Sequence, residues 1–299
     1  VMLLPLLILG LHRLIRQKKP ILYIVSLALV LLSNYYIGYM ICLFTAIWFF
    51  YEFVAHPETE TNPTGERRHF LSTLGRCALF TLIGVGLAAI LLLPAYYSLT
   101  FGKGAFSSPD FTFKAKFDIL DFLAKLFPGA YDTVRPNGLP WVYSGVLSLL
   151  LFPLYFVAGQ IPARKKIATG GFLLLLFLSM YLNPIDILWH GGQTPNWLNY
   201  RYSFAFCFLV LTCAADVIPH LRRVGHRAIL ISGGCVAALA VLLQKLGLTY
   251  IKADGETAKF FDDLNGLWLT LGCVVVYVFL LLLLSEHGKD DPQVEPIAM

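Results

Sequence analysis

The chain has 299 residues, of which 58% are hydrophobic and 14% are charged, and its formal net charge is +5. A soluble domain has about 45–50% apolar and about 25% charged residues, so too few polar side chains are present here to cover a water-soluble globule. Intrinsic disorder is also excluded, because it requires few apolar residues and much charge, and the composition therefore predicts an integral membrane protein.

About nine apolar segments approach the length of a membrane helix, which needs about 20 mostly apolar residues. In chain order they occupy residues 1–11, 21–33, 36–55, 71–98, 141–158, 168–184, 203–218, 228–243 and 266–285. We therefore predict an all-α fold, a polytopic transmembrane helix bundle that forms one membrane domain over residues 1–285, followed by a cytoplasmic tail over 286–299. The first segment is too short to cross and begins at Val1 rather than Met, so we expect further residues upstream.

Lysine and arginine predict the orientation, because they are enriched in cytoplasmic loops. Basic clusters lie at 13–19, 67–68, 164–166 and 222–227, with Lys289 in the tail, and they alternate with longer and less basic loops. We assign these clusters to the cytoplasmic side and the intervening loops to the outer side. The same bias accounts for the positive net charge, so nucleic acid is not an expected partner.

The first unusual outward segment joins the second and third predicted spans with almost no loop. Residues 33–39 read SNYYIGY, which places Asn34, Tyr35 and Tyr36 at the outer rim or slightly below it. One interpretation is an aromatic belt, in which tyrosines anchor the helix at the headgroups. The alternative is a re-entrant turn that lines a cavity, because non-helical backbone at membrane depth requires protein or water to satisfy it.

The second outward segment is a long extracytoplasmic loop over residues 99–140. Within it, 117–127 is predicted to form a helix in the membrane interface, with Asp118 and Asp121 turned to water and Asp121 facing Lys125 one turn later. Prolines and glycines then give residues 128–140 a fixed shape. This turn carries tyrosine, aspartate and arginine side chains that suit a sugar or phosphate site, namely Tyr131, Asp132 and Arg135. A simple Asp–Arg pair that fastens the loop is the alternative.

The third outward segment, residues 183–202, is dense in aromatic and amide side chains. Its polar and aromatic residues near the predicted rim are Trp189, His190, Asn196, Trp197, Asn199, Tyr200, Arg201 and Tyr202. Aromatic faces stack on sugar rings, and amides and histidine form hydrogen bonds with hydroxyl groups, while arginine pairs with phosphate through two parallel bonds. A lone histidine is more often structural, but the combination favours a binding site.

Four motifs in these segments closely resemble the YfhO family of bacterial multi-spanning membrane proteins. They are NYYIGYM at 34–40, LPAY at 93–96 with FGKGAF at 101–106, FPGAYD at 127–132, and PNWLNYR at 195–201. The resemblance implies a fold like that of GT-C glycosyltransferases. It also implies that a sugar moves from an undecaprenyl-phosphate-linked donor to lipoteichoic acid or a similar surface polymer, on the extracytoplasmic face of the plasma membrane.

Members of that family are longer and carry an acidic motif in their first outward loop. The resemblance therefore implies an internal fragment that lacks the N-terminal span, this loop and the main catalytic carboxylate, and that is inactive in isolation. Within the chain we predict Asp132 and His190 as auxiliary catalytic residues. The predicted substrate-binding residues share an outward position and side chains that suit phosphate, sugar or lipid: Asn34, Tyr35, Lys103, Tyr131, Arg135, Asn196, Asn199, Tyr200 and Arg201.

Among these residues, we expect the basic side chains to hold the lipid phosphate and the asparagines and tyrosines to line a sugar or lipid channel in one outward vestibule. No cofactor is assigned. A divalent metal stays open, because carboxylates paired closely enough to bind one are not evident outside the missing first loop. Two alternatives remain. One is a transporter or flippase of lipid-linked sugars, which normally has polar residues at the bilayer midplane. The other is a non-catalytic partner in a cell-envelope glycosylation complex.

Overall fold

Helices form most of the computed structural model, which describes residues 1–56, 66–101, 110–128, 138–195, 198–251, 257–259 and 264–286. The α-helices of these residues are α1 Leu4–Gln17, α2 Ile21–Ser33, α3 Tyr35–Ala55, α4 Glu66–Phe101, α5 Ile119–Ala124, α6 Val146–Val157, α7 Ala163–Tyr181, α8 Asn183–Trp189, α9 Ser203–Val217, α10 His226–Leu246 and α11 Leu264–Glu286. A 3₁₀ helix, Ile218–Arg223, extends α9. A small antiparallel hairpin pairs β1 Thr249–Ile251 with β2 Thr257–Lys259.

The predicted all-α membrane bundle is confirmed. Each of the predicted apolar segments contains a helix, and five helices are long and apolar enough to cross a membrane by length and composition: Tyr35–Ala55, Arg67–Ser98, Ser203–Arg223, His226–Leu246 and Leu264–Glu286. The apolar helices α2 and α6 are shorter, with 13 and 12 residues. The count of about nine spans therefore stays a prediction.

Several helices extend beyond the predicted spans, whereas α6, Val146–Val157, is shorter than the predicted 141–158. Helix α4 begins at Glu66 and ends at Phe101, beyond both ends of the predicted 71–98, and its last residues take the place of the predicted start of the long loop. Helix α1 likewise continues past residue 11 to Gln17. A helix satisfies its own backbone in the polar headgroup region as well as in hydrocarbon. Hydropathy therefore locates the apolar part of a helix and misses its polar ends.

The chain divides into two compact units, which we describe separately. Unit 1 comprises Val1–Lys116 and Ile167–Asn196. Its helices α1 and α2 cross closely, because a Cβ on Gly10 would lie 2.7 Å from the backbone nitrogen of Tyr23 and 2.8 Å from its Cα. Only glycine permits this approach of one helix to the backbone of the next.

An aromatic core joins α3 to α7 in unit 1. The ring of Phe172 on α7 lies between three rings of α3, with centroid distances of 5.5 Å to Phe44, 5.9 Å to Trp48 and 5.4 Å to Tyr51. Such offset and edge contacts stabilise packing beyond the buried area alone. The Tyr51 hydroxyl also lies 3.0 Å from the Thr169 hydroxyl. This core fixes α7, and with it the segment that follows α7, against α3.

Unit 2 comprises Phe117–Lys166 and Trp197–Met299. Its spanning helices are tied by polar contacts as well as by apolar packing. The Ser232 hydroxyl of α10 donates to the Leu150 carbonyl of α6 over 2.6 Å, and Lys165 Nζ lies 2.8 Å from Asp216 Oδ2 at the start of α7 and the end of α9. Both contacts lie within unit 2.

The helix predicted over 117–127 is present in unit 2 as the shorter α5. Asp118 begins it, because its carboxylate accepts a hydrogen bond from the backbone of Leu120 over 2.8 Å. Burial, and after it the charge of Asp118, raises the pKa of Asp121. Lys125, which we predicted to face Asp121, is buried, with its ammonium 5.8 Å from the ring centroid of Trp141. The cation–π contact and the apolar stem account for this inward position.

Candidate functional site

A short extended segment, residues 110–116, runs beside the junction of α7 and α8 in unit 1. We call it the strap. Lys116 donates its backbone N–H to the Tyr181 carbonyl over 3.0 Å, and Asn183 donates its own to the Lys114 carbonyl over 3.1 Å. The Asn183 side chain also donates to the Asp110 carbonyl over 2.6 Å. These bonds satisfy backbone groups outside any helix and hold the strap in register with the start of α8.

The exposed start of the strap is shaped by Asp110. Its carboxylate accepts hydrogen bonds from the Lys114 ammonium over 2.8 Å, from the backbone N–H of Thr112 over 3.0 Å and from the Thr112 hydroxyl. The first of these, assisted by the other two, holds the pKa of Asp110 well below its ordinary value. An aspartate that accepts a hydrogen bond from the backbone two residues later is typical of a fixed turn, so the strap begins with a turn of fixed shape.

The strap brings Lys116 to a buried carboxylate on α8. Lys116 Nζ lies 2.5 Å from Asp186 Oδ2, and His190 Nε2 lies 3.6 Å from Asp186 Oδ1. The other ring nitrogen of His190, Nδ1, lies 2.5 Å from the Tyr36 hydroxyl. The side chains of Asp186 and His190 have zero exposure, and that of Lys116 is 17% exposed. We call these four residues the Asp186 cluster.

The sequence of α8 explains why two members of the cluster face the same way. Pro184 stands in the first turn, where a helix does not need its missing N–H, and Leu182, which precedes the helix, is extended. Asp186 and His190 are four residues apart and therefore lie on one face. Helix α8 ends at Trp189. Gly191 and Gly192, which follow it, have φ values of +67° and +81°, a left-handed conformation that glycine adopts without strain and that ends a helix.

Helix α3 supplies Tyr36 through the sharp junction at Asn34. This residue is extended, and its side chain accepts a hydrogen bond from the backbone of Ile37 over 2.9 Å, so that α2 ends and α3 begins around a single residue. The predicted near-absence of a loop is confirmed. One turn after Tyr36, the Tyr39 hydroxyl donates to the Leu188 carbonyl over 2.9 Å. Two tyrosines of one helix face thus dock on α8, while Asn34 and Tyr35 are exposed beside them.

A second buried carboxylate lies near the other end of α3, which is about 30 Å long. Glu52 Oε1 lies 3.0 Å from His12 Nδ1 and 3.5 Å from Arg16 Nη2, and Arg16 also donates to the His56 carbonyl over 3.4 Å. The Glu52 side chain is 6% exposed, against 49% for His12 and 26% for Arg16. We call these residues the Glu52 cluster. It sits at the end of unit 1 that carries the predicted cytoplasmic basic residues.

The predicted site residues fall into three groups. Asn34, Tyr35 and His190 lie in unit 1, at the end of α3 that holds the Asp186 cluster. Asn199, Tyr200 and Arg201 lie in unit 2, where the first two are buried and Arg201 is exposed. The predicted residues that lie outside the described part of the chain are Lys103, Tyr131, Asp132, Arg135 and Asn196. The shared vestibule therefore stays a prediction.

Within unit 2, the burial of Tyr200 gives it a packing role. Its side chain meets the Phe117 ring edge-on, at a centroid distance of 5.8 Å. Asn199 is 8% exposed and Tyr200 is 4% exposed. A side chain of this burial contributes to the shape of a site more than to direct contact with a substrate. Arg201 is the member of this group that reaches the surface.

Three members of the Asp186 cluster were not predicted as site residues. Tyr36 was placed at the outer rim without a site role, and Asp186 stands in a segment that drew attention for other residues. The spacing of Asp186 and His190, read after Pro184, was an available signal. Lys116 gave no local signal, because only the pairing of the strap brings it to Asp186. No group of three or more His, Cys, Asp or Glu side chains that could hold a metal ion occurs in the described ranges, and a metal stays open.

Comparison with known proteins gives one family. The sequence model of the family described as "Bacterial membrane protein YfhO" matches residues 1–294. The curated "Uncharacterized protein YfhO" of Bacillus subtilis (strain 168) is 23% identical over 252 residues, which are 84% of this chain and 26% of that protein. The chain thus spans about a quarter of the length of this relative. No solved structure matches.

Proposed function

Because this chain belongs to the YfhO family of bacterial membrane proteins, we propose that the protein of which it is part is a membrane glycosyltransferase. It transfers a sugar from a polyprenyl-phosphate-linked donor to a hydroxyl group of a cell-surface polymer such as lipoteichoic acid. The reaction takes place on the extracytoplasmic face of the plasma membrane. The chain itself is a multi-pass membrane protein with several apolar helices.

The Asp186 cluster is the observation that carries this proposal. Sugar transfer requires groups that orient the attacking hydroxyl and receive its proton, and cations that stabilise the leaving phosphate. Ionisable side chains buried near a membrane are costly and mark functional sites by default. In the Asp186 cluster, a buried carboxylate lies beside a buried histidine, and the histidine contacts the hydroxyl of Tyr36, a half-buried residue.

The distribution of charge favours the outer face for this site. Exposed basic residues lie toward the Glu52 end of unit 1: Arg13 in the last turns of α1, Lys18 and Lys19 directly after α1, and Arg67 and Arg68 at the start of α4. The positive-inside rule assigns that end to the cytoplasm. The opposite end, with the Asp186 cluster and the exposed Asn34 and Tyr35, then faces outward.

The role that we propose for His190 follows from its burial, and the other roles follow from side-chain chemistry and position in the sequence. His190 is buried, so it acts through Tyr36 and does not touch the substrate. Asp132 is proposed as a second auxiliary group. The substrate roles include lipid-phosphate binding by Lys103, Arg135 and Arg201, and lining of the sugar or lipid channel by Asn34, Tyr35, Tyr131, Asn196, Asn199 and Tyr200. The main carboxylate is proposed to lie elsewhere in the full-length protein.

Alanine substitution in the full-length protein tests the proposal. Cells that lack the endogenous gene receive the wild type, His190→Ala or Arg201→Ala, and the sugar content of lipoteichoic acid is measured by mass spectrometry. We expect the wild type to restore glycosylation and both variants to lower it by about 10-fold or more, as for loss of a group that assists transfer. Undiminished glycosylation at normal expression removes that residue from the mechanism.

A reaction with purified full-length protein separates transfer from transport. Labelled polyprenyl-phosphate sugar and polymer acceptor are supplied together, and a new glycosidic bond is sought. A flippase forms no such bond, and a non-catalytic partner forms it only after another enzyme is added. The Asp186 cluster lies at helix ends, whereas alternating-access transporters hold their substrate near the bilayer midplane. This position favours sugar transfer over transport.

A further inference from the structure

We infer that Tyr36 is the residue that contacts a substrate hydroxyl group, and that the buried chain of His190, Asp186 and Lys116 fixes Tyr36 as a hydrogen-bond acceptor toward it. The inference deepens the proposed sugar transfer and rests on it. It assigns the substrate group at this position as the hydroxyl of a sugar or of the acceptor polymer, and it makes the three buried residues positioning residues.

The first step is the charge state of Asp186. A carboxylate with no exposed surface loses its hydration, and burial without a partner strongly disfavours the ionised form. Lys116 supplies the partner through Nζ, 2.5 Å from Oδ2. The ion pair keeps Asp186 negative and occupies one of its two oxygens. The other oxygen, Oδ1, faces His190.

The second step is the tautomer of His190. Asp186 Oδ1 lies 3.6 Å from Nε2, a distance at which charge attracts although a hydrogen bond is not formed. A carboxylate beside one ring nitrogen favours the tautomer with the proton on that nitrogen. The neutral ring then carries a lone pair on Nδ1. Tyr36 fills this position, with its hydroxyl oxygen 2.5 Å from Nδ1 and its ring plane inclined at 28° to that of the imidazole.

The third step is the direction of the bond between Tyr36 and His190. With a lone pair on Nδ1, the Tyr36 hydroxyl must donate its single proton to the imidazole. The phenolic oxygen then has lone pairs and no proton to offer to any further partner. A sugar or polyol hydroxyl can donate to such an oxygen, whereas an unprotonated phosphate oxygen cannot. The cluster therefore selects a hydroxyl group and rejects the phosphate of the lipid donor.

Tyr36 lies at the edge of the Asp186 cluster. Its side chain is half-buried, and its neighbours are the buried His190 on one side and the exposed Asn34 and Tyr35 along the chain. Helix α3 is held on α7 by the packing of Phe44, Trp48 and Tyr51 around Phe172. Tyr36 is thus presented from a rigid support, which is what a residue that orients a reacting group requires.

Rates of sugar addition in membranes that contain the full-length protein and its endogenous lipid-linked donor test the inference. Tyr36→Phe keeps the ring and removes the acceptor, and we expect a loss of about 10-fold, as for one hydrogen bond made to the reacting substrate. Tyr39→Phe, which removes a hydroxyl from the same helix face, serves as the matched control, and we expect less than about a twofold change.

Rescue by a conservative variant reports on the positioning role of His190. In His190→Ala the Tyr36 hydroxyl loses its partner at Nδ1, and we expect the rate of sugar addition to fall by about 10-fold, as for a lost hydrogen bond. In His190→Gln an amide oxygen can accept the Tyr36 proton in place of Nδ1, so the rate should lie clearly above that of His190→Ala at equal expression.

The outcomes are distinguishable. If wild-type membranes add no sugar, the proposed function fails. If they add sugar but Tyr36→Phe matches Tyr39→Phe in rate, the assignment of Tyr36 is overturned. If His190→Gln is no faster than His190→Ala at equal expression, the positioning role is overturned, even when Tyr36→Phe is too unstable to interpret.

Discussion

Unit 1 holds a buried carboxylate near each end of α3, and the two carboxylates have different neighbours. Glu52 is contacted by His12 and Arg16, whose side chains are 49% and 26% exposed. Asp186 is contacted by His190, which is fully buried, and by Lys116, which is 17% exposed. The Glu52 partners come from the spanning bundle. The Asp186 partners come from the strap and from α8, outside the long helices.

The difference separates an anchor from a candidate site. Long basic side chains can bury their stems and keep their charges in water, so the Glu52 cluster joins α1 to α3 at modest desolvation cost. The Asp186 cluster takes the carboxylate and most of the Lys116 side chain out of water, an arrangement that gives little net stability even when well formed. We therefore propose a functional role for the Asp186 cluster and a structural role for the Glu52 cluster.

The largest expected difference between the Asp186 end and the Glu52 end of unit 1 is the side of the membrane on which each is exposed. Tyr35→Cys marks the Asp186 end and Arg13→Cys marks the Glu52 end, and both positions are exposed. With the native cysteines replaced by alanine, an impermeant maleimide added to intact cells should label Tyr35→Cys and leave Arg13→Cys unlabelled. Both should react after permeabilisation. Labelling of the Arg13 variant alone in intact cells would invert the orientation and contradict the proposed outer site.

The next contrast is thermodynamic. Asp186→Asn leaves Lys116 with an uncompensated and largely buried charge, so we expect the full-length protein to lose about 3–5 kcal/mol of unfolding free energy. Glu52→Gln leaves cations that can reach water, so its cost should be about 1 kcal/mol. Detergent-titrated unfolding in mixed micelles measures both. Equal losses would show that the two carboxylates have equivalent surroundings and would remove the distinction between anchor and site.

A double substitution sharpens the same contrast. Lys116→Met with Asp186→Leu replaces the ion pair by apolar side chains, which in other proteins is neutral or stabilising by about 1–4 kcal/mol. We expect the double variant to recover the stability that Asp186→Asn loses, while sugar transfer stays impaired, because His190 no longer has a carboxylate at Nε2. Wild-type transfer in a stable double variant would assign the pair a structural role alone.

The sequence predicts the spanning helices better than it predicts the different surroundings of Glu52 and Asp186. Apolar runs such as 203–218 and 266–285 appear as helices within a few residues of the predicted ends, since length and hydropathy suffice for a membrane helix. Glu52 drew no attention, because one acid in a long apolar run barely changes its hydropathy. Only packing of α1 on α3 gives it partners.

The candidate site was predicted only in part, because its contacts also depend on packing. His190 was identified from its rim position and its neighbours in sequence, and Asn34 and Tyr35 from an abrupt break between two spans. The role of Lys116 depends on the strap pairing with the start of α8, some seventy residues later in the chain. Hydrophobic periodicity contains no information about such a pairing, so a contact of this kind becomes visible only in the fold.

The smallest expected effect concerns Asn34, which has two candidate roles at the Asp186 end. Its side chain caps α3 through the Ile37 backbone, and loss of such a cap costs about 1 kcal/mol. Asn34→Ala should therefore lower the unfolding free energy by about that amount. Asn34→Ser can retain the cap but lacks the amide donor, so it should keep wild-type stability. If Asn34→Ser also keeps wild-type sugar transfer, capping is the whole role of Asn34. If transfer falls at unchanged stability, the amide itself contacts the substrate, as predicted from its exposed position beside Tyr36.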